Sequence, residues 1–281
     1  MTTPVFLVVL LAAFIHAAWN AAAKGSGDKM RFMLGLVLGH APFAALALLF
    51  VPLPAWECWP YVAGGALLHL CYQLFLQQSY RHGDLTHVYP LARGTAPLLT
   101  AALSVLWLGE QLSAPAWAGI LVIAIGLTSL VFVRRADGLW DARSAATALA
   151  TGCFTAGYSL VDGMGARIGG TALGFYAMLS LLNAAAMAGL MHWRRPGMVG
   201  EVVRNAWRPA LFAGGASFTA FSLVVWGFTQ APIGLVAALR ETSVIFALLI
   251  GVLILGERLN LLKVFAATVT TSGALLVKLA R

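Results

Sequence analysis

Two arginines carry the most pointed chemistry in this chain. Arg93 and Arg240 each lie inside a long apolar run. Each stands about nine residues from the start of its run, or ~13 Å along a helix rising 1.5 Å per residue. In a hydrocarbon core ~30 Å thick that depth is near the centre, beyond easy reach of the headgroups. Placing an arginine there costs ~2.5–3.5 kcal/mol or more, so its side chain must meet a partner or a watery cavity. The guanidinium stays protonated and grips carboxylate or phosphate through a two-pronged fork. One reading is therefore an anion clamp built from Arg93 and Arg240. The other is an internal ion pair, because Glu241 follows Arg240 directly and is placed to neutralise Arg93 where the helices cross. Both hold if a substrate competes for the arginines.

Further polar residues fall in rows at helical spacing. Thr86, Tyr89, Arg93, Thr100 and Ser104 share one face, with Pro90 and Pro97 flanking the arginine. Those prolines are expected to free backbone carbonyls and bend the helix, as a gate requires. His16, Trp19, Asn20 and Lys24 form a second row, and Thr151, Thr155, Tyr158, Ser159 and Asp162 a matching third. His69, Gln73 and Gln77 form a fourth. Polar rows in lipid face the protein interior. Tyr89, Trp19, Asn20 and Tyr158 thus join the two arginines as candidate substrate contacts, with Trp19 and Tyr158 as stacking walls. The competing reading is hydrogen bonding between helices. His16, His69, Asp162 and Glu241 are candidates for proton coupling or ion pairing, since histidine changes charge near neutrality and a buried carboxylate can be brought into range. Glu110 and Glu257 close their helices and are expected to make loop or gate contacts.

Other chemistry finds no support. Cys58, Cys71 and Cys153 are odd in number, far apart and set in apolar runs, so they are expected to be buried packing residues, not disulfides or metal ligands. The chain lacks HExxH, Gly-x-Ser-x-Gly and clustered acids, so an intramembrane enzyme is the weaker reading, and no metal or cofactor is expected.

The elements that position these residues follow from composition. Of 281 residues 60% are apolar and only 10% charged, and the mean hydropathy is +0.86. A soluble domain carries roughly 25% charged residues, so a water-facing globule and a disordered chain are both excluded. Ten apolar stretches can be counted, at about 4–23, 32–51, 59–80, 85–108, 114–133, 144–161, 171–192, 207–229, 231–255 and 260–279. They are too long and too continuously apolar for barrel strands, so the expectation is an all-α integral membrane protein with ten transmembrane helices. The first stretch has no basic residue before it and is interrupted by His16, Trp19 and Asn20, which argues for a mature helix over a signal peptide. The net charge of +8 reflects basic loops, not a nucleic-acid partner. Thirteen of the 18 Lys and Arg fall in loops after odd-numbered stretches and three in even loops or tails. The positive-inside rule then puts odd loops in the cytoplasm and both termini outside.

The chain also repeats itself. Leu108-Gly109-Glu110-Gln111-Leu112 recurs as Leu255-Gly256-Glu257-Arg258-Leu259, and the same offset carries Arg93 to Arg240, Thr95 to Thr242 and Gly126 to Gly273. Five helices per half is an odd number, so the two copies must stand upside down relative to each other. Inverted repeats are an architecture of secondary transporters, with substrate bound where the halves meet.

Ten helices in two five-helix repeats, each fourth helix ending in Leu-Gly-Glu, resemble the EamA branch of the drug/metabolite transporter superfamily. His16-Ala17-Ala18-Trp19-Asn20 and Tyr89-Pro90-Leu91-Ala92-Arg93-Gly94 look like subgroup signatures within it. The resemblance implies a first repeat over 1–134, an inter-repeat loop over 135–143 and a second repeat over 144–281. It also implies alternating-access transport of a small polar metabolite across a bacterial inner membrane, by a monomer or homodimer in the lipid bilayer. The arginines point to an anionic substrate, such as an organic phosphate, phosphonate or carboxylate. The alternative is export of amino acids or other neutral or cationic metabolites, with both arginines structural.

Overall fold

The computed structural model describes residues 1–23, 28–82, 85–130, 142–254, 256 and 261–280, with the side chains of 22–23, 79–82, 85–90 and 142–144 left aside. Of the inter-repeat loop expected over 135–143, residues 135–141 lie outside the described residues and 142–143 belong to a helix; Lys24, Glu257 and the side chains of Thr86 and Tyr89 also lie outside them. Among the described residues there is no strand. Lipid offers no partner for a free backbone amide or carbonyl, and helices satisfy both internally. The helices are α1 (Thr3–Ala23), α2 (Lys29–Leu48), α3 (Trp59–His82), α4 (Leu85–Leu108), α5 (Ala114–Ser129), α6 (Ala142–Ile168), α7 (Ala172–Arg194), α8 (Met198–Asn205), α9 (Trp207–Gln230), α10 (Ile233–Arg240), α11 (Ser243–Leu253) and α12 (Leu261–Leu279).

Local chemistry sets the ends. The Asp28 carboxylate accepts the amides of Met30 and Arg31 and so starts α2, and the Thr171 hydroxyl accepts that of Gly174 at the start of α7. Gly109 and Gly256 both have positive φ, 66° and 67°. The repeated Leu-Gly-Glu is thus a physical device, in which only glycine takes the left-handed turn after the fourth helix of each half without penalty.

Seven helical stretches are long and apolar enough to cross a membrane: Thr3–Ala21, Lys29–Leu48, Leu91–Leu108, Ala172–Arg194, Trp207–Gln230, Ile233–Leu253 and Leu261–Leu279. The chain is a multi-pass membrane protein. α3 and α6 are 24 and 27 residues long but carry two of the polar rows, and α5 is an apolar helix of 16 residues. Two sequence expectations of the helices are corrected. A loop was expected between α7 and α9, where α8 forms an amphipathic helix whose Glu201 pairs with Arg31 at 2.7 Å. The ninth stretch is two helices, α10 and α11, parted at Glu241 and Thr242. α4 runs on as one helix through Pro90 and Pro97. Cys153 is exposed and Cys71 half-buried, and only Cys58 is a fully buried packing residue.

Small residues let the backbones meet, as association within lipid requires. A side chain at Gly39 would strike the Ala210 backbone and one at Gly214 would strike Gly39, so α2 and α9 touch directly. Likewise Gly119 of α5 faces Gly273 and Val277 of α12, while Gly126 faces Ala266 and Thr270. These contacts run in opposite sequence directions, so α5 and α12 are antiparallel. They are also reciprocal: at the 147-residue offset Gly119 corresponds to Ala266 and Gly126 to Gly273. Other contacts come in matched couples, with α1 on α9 as α3 is on α6, α2 on α9 as α3 is on α7, and α1 on α11 as α4 is on α6. The two halves are interleaved, not set side by side. The termini meet at one end, where the Met1 amino group donates to the Ala280 carbonyl at 3.0 Å and Lys278 donates to the Thr3 hydroxyl at 2.6 Å.

Candidate functional site

The break between α10 and α11 faces the middle of α4. Gly234 packs on Ala101, and eight residues earlier on α4 Arg93 reaches the residues just after α10. Around the break the amides of Glu241 and Thr242 bond three residues back, to Ala238 and Leu239, which tightens the helix and sets Glu241 outside regular α-helical bonding. Arg93 and Arg240 are 7% and 4% exposed and Glu241 is fully buried, so neither guanidinium reaches the surface.

The three side chains form one cluster. Arg93 Nη1 lies 3.3 Å from Glu241 Oε1 and 3.1 Å from Oε2. Arg240 reaches the same Oε1 with Nη2 at 3.2 Å and Nε at 3.4 Å. Arg93 Nη2 donates to Ser243 Oγ at 3.1 Å and to His16 Nε2 at 3.2 Å. A guanidinium has no acceptor, so His16 Nε2 offers its lone pair and carries no proton there. One carboxylate thus serves two permanent cations. All four contacts to it are longer than the 2.7–2.9 Å of a strong charge-assisted hydrogen bond. Arg240 Nη1 is buried with no hydrogen-bond partner among the described residues.

An aromatic wall backs the cluster. The Arg240 guanidinium lies over Tyr158 at 5.6 Å and Phe221 at 5.7 Å from the ring centroids, within cation–π range. Tyr158 stacks on His69 at 4.2 Å, and His69 Nε2 is 2.7 Å from Asp162 Oδ2. Tyr72 closes the edge of Tyr158 at 5.4 Å. Of the candidate contacts and coupling groups, Arg93, Arg240, Tyr158, His16, His69, Asp162 and Glu241 therefore stand together, the side chain of Tyr89 lies outside the described residues, and two stand apart. Trp19 packs in an apolar cluster with Leu36 and Ala213 and reaches the site only through an edge contact with His16 at 5.1 Å. Asn20 donates to the His16 carbonyl of its own helix at 2.9 Å.

The described serine and threonine members of the polar rows are satisfied within their own helices, whereas His16, Arg93, His69, Gln77 and Asp162 bond between helices. Thr151, Thr155 and Ser159 each donate to the carbonyl four residues back. Thr100 donates to Ala96 and Ser104 to Ala101, both fully buried. Sequence reading missed Ser243 and Phe221. Ser243 replaces Ala96 at the repeat offset, and this exchange of small for polar beside a repeated arginine is a usable signal. Phe221 is one of many aromatic residues in an apolar helix and carries none. Among the described residues no three His, Cys, Asp or Glu side chains come together as a metal site.

A second polar knot lies at the end of the bundle where α4, α6 and α9 finish and α10 begins. Glu110 accepts the Ile233 amide with Oε2 at 2.8 Å and pairs with Arg167 Nη2 at 2.7 Å. Arg167 also donates to the carbonyls of Phe228 and Ala231. One carboxylate so ties four helix ends, consistent with the loop contact expected of Glu110.

Comparison with known proteins adds a family. The profile of the EamA-like transporter family matches twice, over residues 3–132 and 144–279. No curated relative matches the chain. One similar solved structure, described only as "Crystal structure of protein", shares 19% identity with a TM-score of 0.75, covering 99% of this chain and 98% of its own. That likeness speaks to the fold alone.

Proposed function

Since the chain belongs to the EamA-like transporter family, we propose that it is a secondary-active carrier of a small anionic metabolite, an organic phosphate, phosphonate or carboxylate, working by alternating access. Ten spans in two inverted five-helix halves are the proposed architecture. The antiparallel, reciprocal packing of α5 against α12 supports it, because equivalent helices of two upright copies would run parallel. Arg93 and Arg240 hold the substrate, Tyr158 walls it, and Tyr89 completes the face one turn before Arg93. Trp19 adjoins the site through His16 and Asn20 is bonded within α1, so both act in this proposal through the position of His16. The carrier is placed in a bacterial inner membrane as a monomer or homodimer, with both termini outside.

The observation that carries this reading is the sharing of one directly bonded carboxylate by two buried guanidiniums. Buried cations that share a counter-ion favour an arriving anion. A second reading, export of neutral or cationic metabolites, draws on the same Glu241 contacts, taken as permanent and structural. Reconstituted protein offered labelled phosphonate, phosphate ester and amino acid separates the two. Under the first reading Arg93→Ala inserts normally but loses anion flux by at least about thirtyfold, as expected when a buried charge loses its partner. Unchanged flux in Arg93→Ala, or amino-acid flux without anion flux in the wild type, gives the second reading the lead.

A further inference from the structure

Glu241 occupies the place that an anionic substrate needs. Its carboxylate bridges both arginines, yet every contact is 3.1–3.4 Å long and Oε2 lacks hydrogen-bond geometry toward its neighbour. The grip is shared, not forked. Arg240 Nη1 stays without a partner among the described residues, so the existing carboxylate does not exhaust the donors. Glu241 stands at the interruption between α10 and α11, where its backbone has freedom that a helix interior denies. The first repeat offers no second counter-ion. At the offset that pairs Arg93 with Arg240, Gly94 answers Glu241, and a side chain at Gly94 would strike Thr128 of α5.

We propose that Glu241 is a displaceable internal counter-ion, and that an anion binding to Arg93 and Arg240 expels it and brings about one proton onto it, so that anion and proton cross together. This rests on the anion reading above and names its coupling. The electrostatics require the exchange. A substrate anion and an ionised Glu241 in the same dry site put two like charges beside one another, and leaving Glu241 charged without its arginines strands a buried carboxylate. Protonation resolves both.

The groups around Glu241 fit this role. Besides its neighbour Arg240, it meets Arg93 from α4. His16 of α1 reaches the cluster through Arg93. From α6, Tyr158 lies beneath Arg240, and Asp162 is held by His69 of α3. α5 has no charged residue, and the charged residues of α9 and α12, namely Arg208, Lys263 and Lys278, stand near helix ends. Glu241 is therefore the one carboxylate in direct contact with the two arginines among the described residues.

The test uses the intact protein in detergent and in liposomes, with inorganic phosphate, methylphosphonate, succinate and methanesulfonate as probes. Methanesulfonate keeps its charge across the pH range used. Wild type is expected to bind at least one probe about a hundredfold more tightly near pH 6 than near pH 8, with uptake of about one proton per anion from a weakly buffered solution. Glu241→Gln keeps the side-chain shape. It is expected to retain solute counterflow, to bind with an affinity flat in pH, and to lose accumulation driven by an acid outside. Comparing variant with wild type on the same probe cancels the probe's own titration. Anion binding by wild type with no proton uptake overturns the role of Glu241 and leaves the anion reading standing. No binding of any probe at any pH overturns the anion reading itself. If Glu241→Gln does not fold, proton uptake by the wild type decides alone.

Discussion

Tyr158 shows how one residue's role is fixed by its neighbours. The Arg240 guanidinium lies over its ring at 5.6 Å and the His69 imidazole stacks on it at 4.2 Å, so the ring face does the holding. A cation over an aromatic face is worth ~0.5–2 kcal/mol. Tyr158→Phe keeps the face and is expected to leave anion affinity within about twofold of wild type, whereas Tyr158→Ala weakens it about tenfold by equilibrium binding. Equal losses in both variants would assign the effect to the hydroxyl. At this scale the sequence was readable where a costly residue has an obvious partner. Two deep arginines and one adjacent glutamate demand each other, and they do meet. Hydroxyl rows were less readable, because a serine or threonine in a helix satisfies itself on the carbonyl four residues back as readily as it lines a cavity. Trp19 and Asn20 have the right spacing on α1, but spacing gives a face and not the neighbour that the face meets.

Among the elements, α10 links the two polar knots of the molecule. It is eight residues long, about 12 Å, with its first amide pinned by Glu110 and its last residues in the arginine cluster. Movement at one end is carried to the other. Glu110→Gln keeps an acceptor for the Ile233 amide but loses the ion pair to Arg167. Glu110→Ala loses both. Removing hydrogen bonds to charged or end-of-helix groups costs ~1–3 kcal/mol, so the unfolding midpoint in detergent is expected to fall in the order wild type, Gln, Ala. Transport measured alongside tells a latch from a strut, because loosening a latch alters the rate at saturating substrate and a strut alters only the midpoint. The helix ends at Gly109 and Gly256 were legible in the repeated Leu-Gly-Glu, because glycine marks the left-handed turn. The interruption of α10–α11 was not. Proline is the usual warning of a break, and both prolines sit in the helix that stays continuous. Nothing in Arg240-Glu241-Thr242 announces a break to a reader of spacing alone. α8 was passed over because it is short and half polar, which at sequence level looks like a loop.

At the scale of the whole molecule, the proposed architecture is a repeat whose halves stand opposite ways, and the antiparallel packing of α5 on α12 supports it. Duplication was visible in Leu-Gly-Glu and in the offset that maps Arg93 onto Arg240, but repetition does not say which helix packs on which. Interleaving is a tertiary fact, made possible by glycines at the Gly39–Gly214 and Gly119–Gly273 crossings. Orientation in the membrane has its own physical argument. Both termini lie at one end, tied by Met1 to Ala280 and Lys278 to Thr3. At the other end Arg31 in the first turn of α2 and Arg195 just after α7 pair with Glu201 and Asp28. Such surface pairs are weak in water, and the excess of Lys and Arg in the odd-numbered loops supports the proposal that this end faces the cytoplasm. Alkaline phosphatase fused after Arg281 is therefore expected to be active, and a fluorescent protein there dark, with the reverse for the same reporters inserted at Pro196-Gly197 between α7 and α8. A bright C-terminal fusion would turn the molecule over. The Glu110–Arg167 knot would then close the cytoplasmic mouth instead of the outer one, and an anion and its proton would enter the cluster from the opposite compartment.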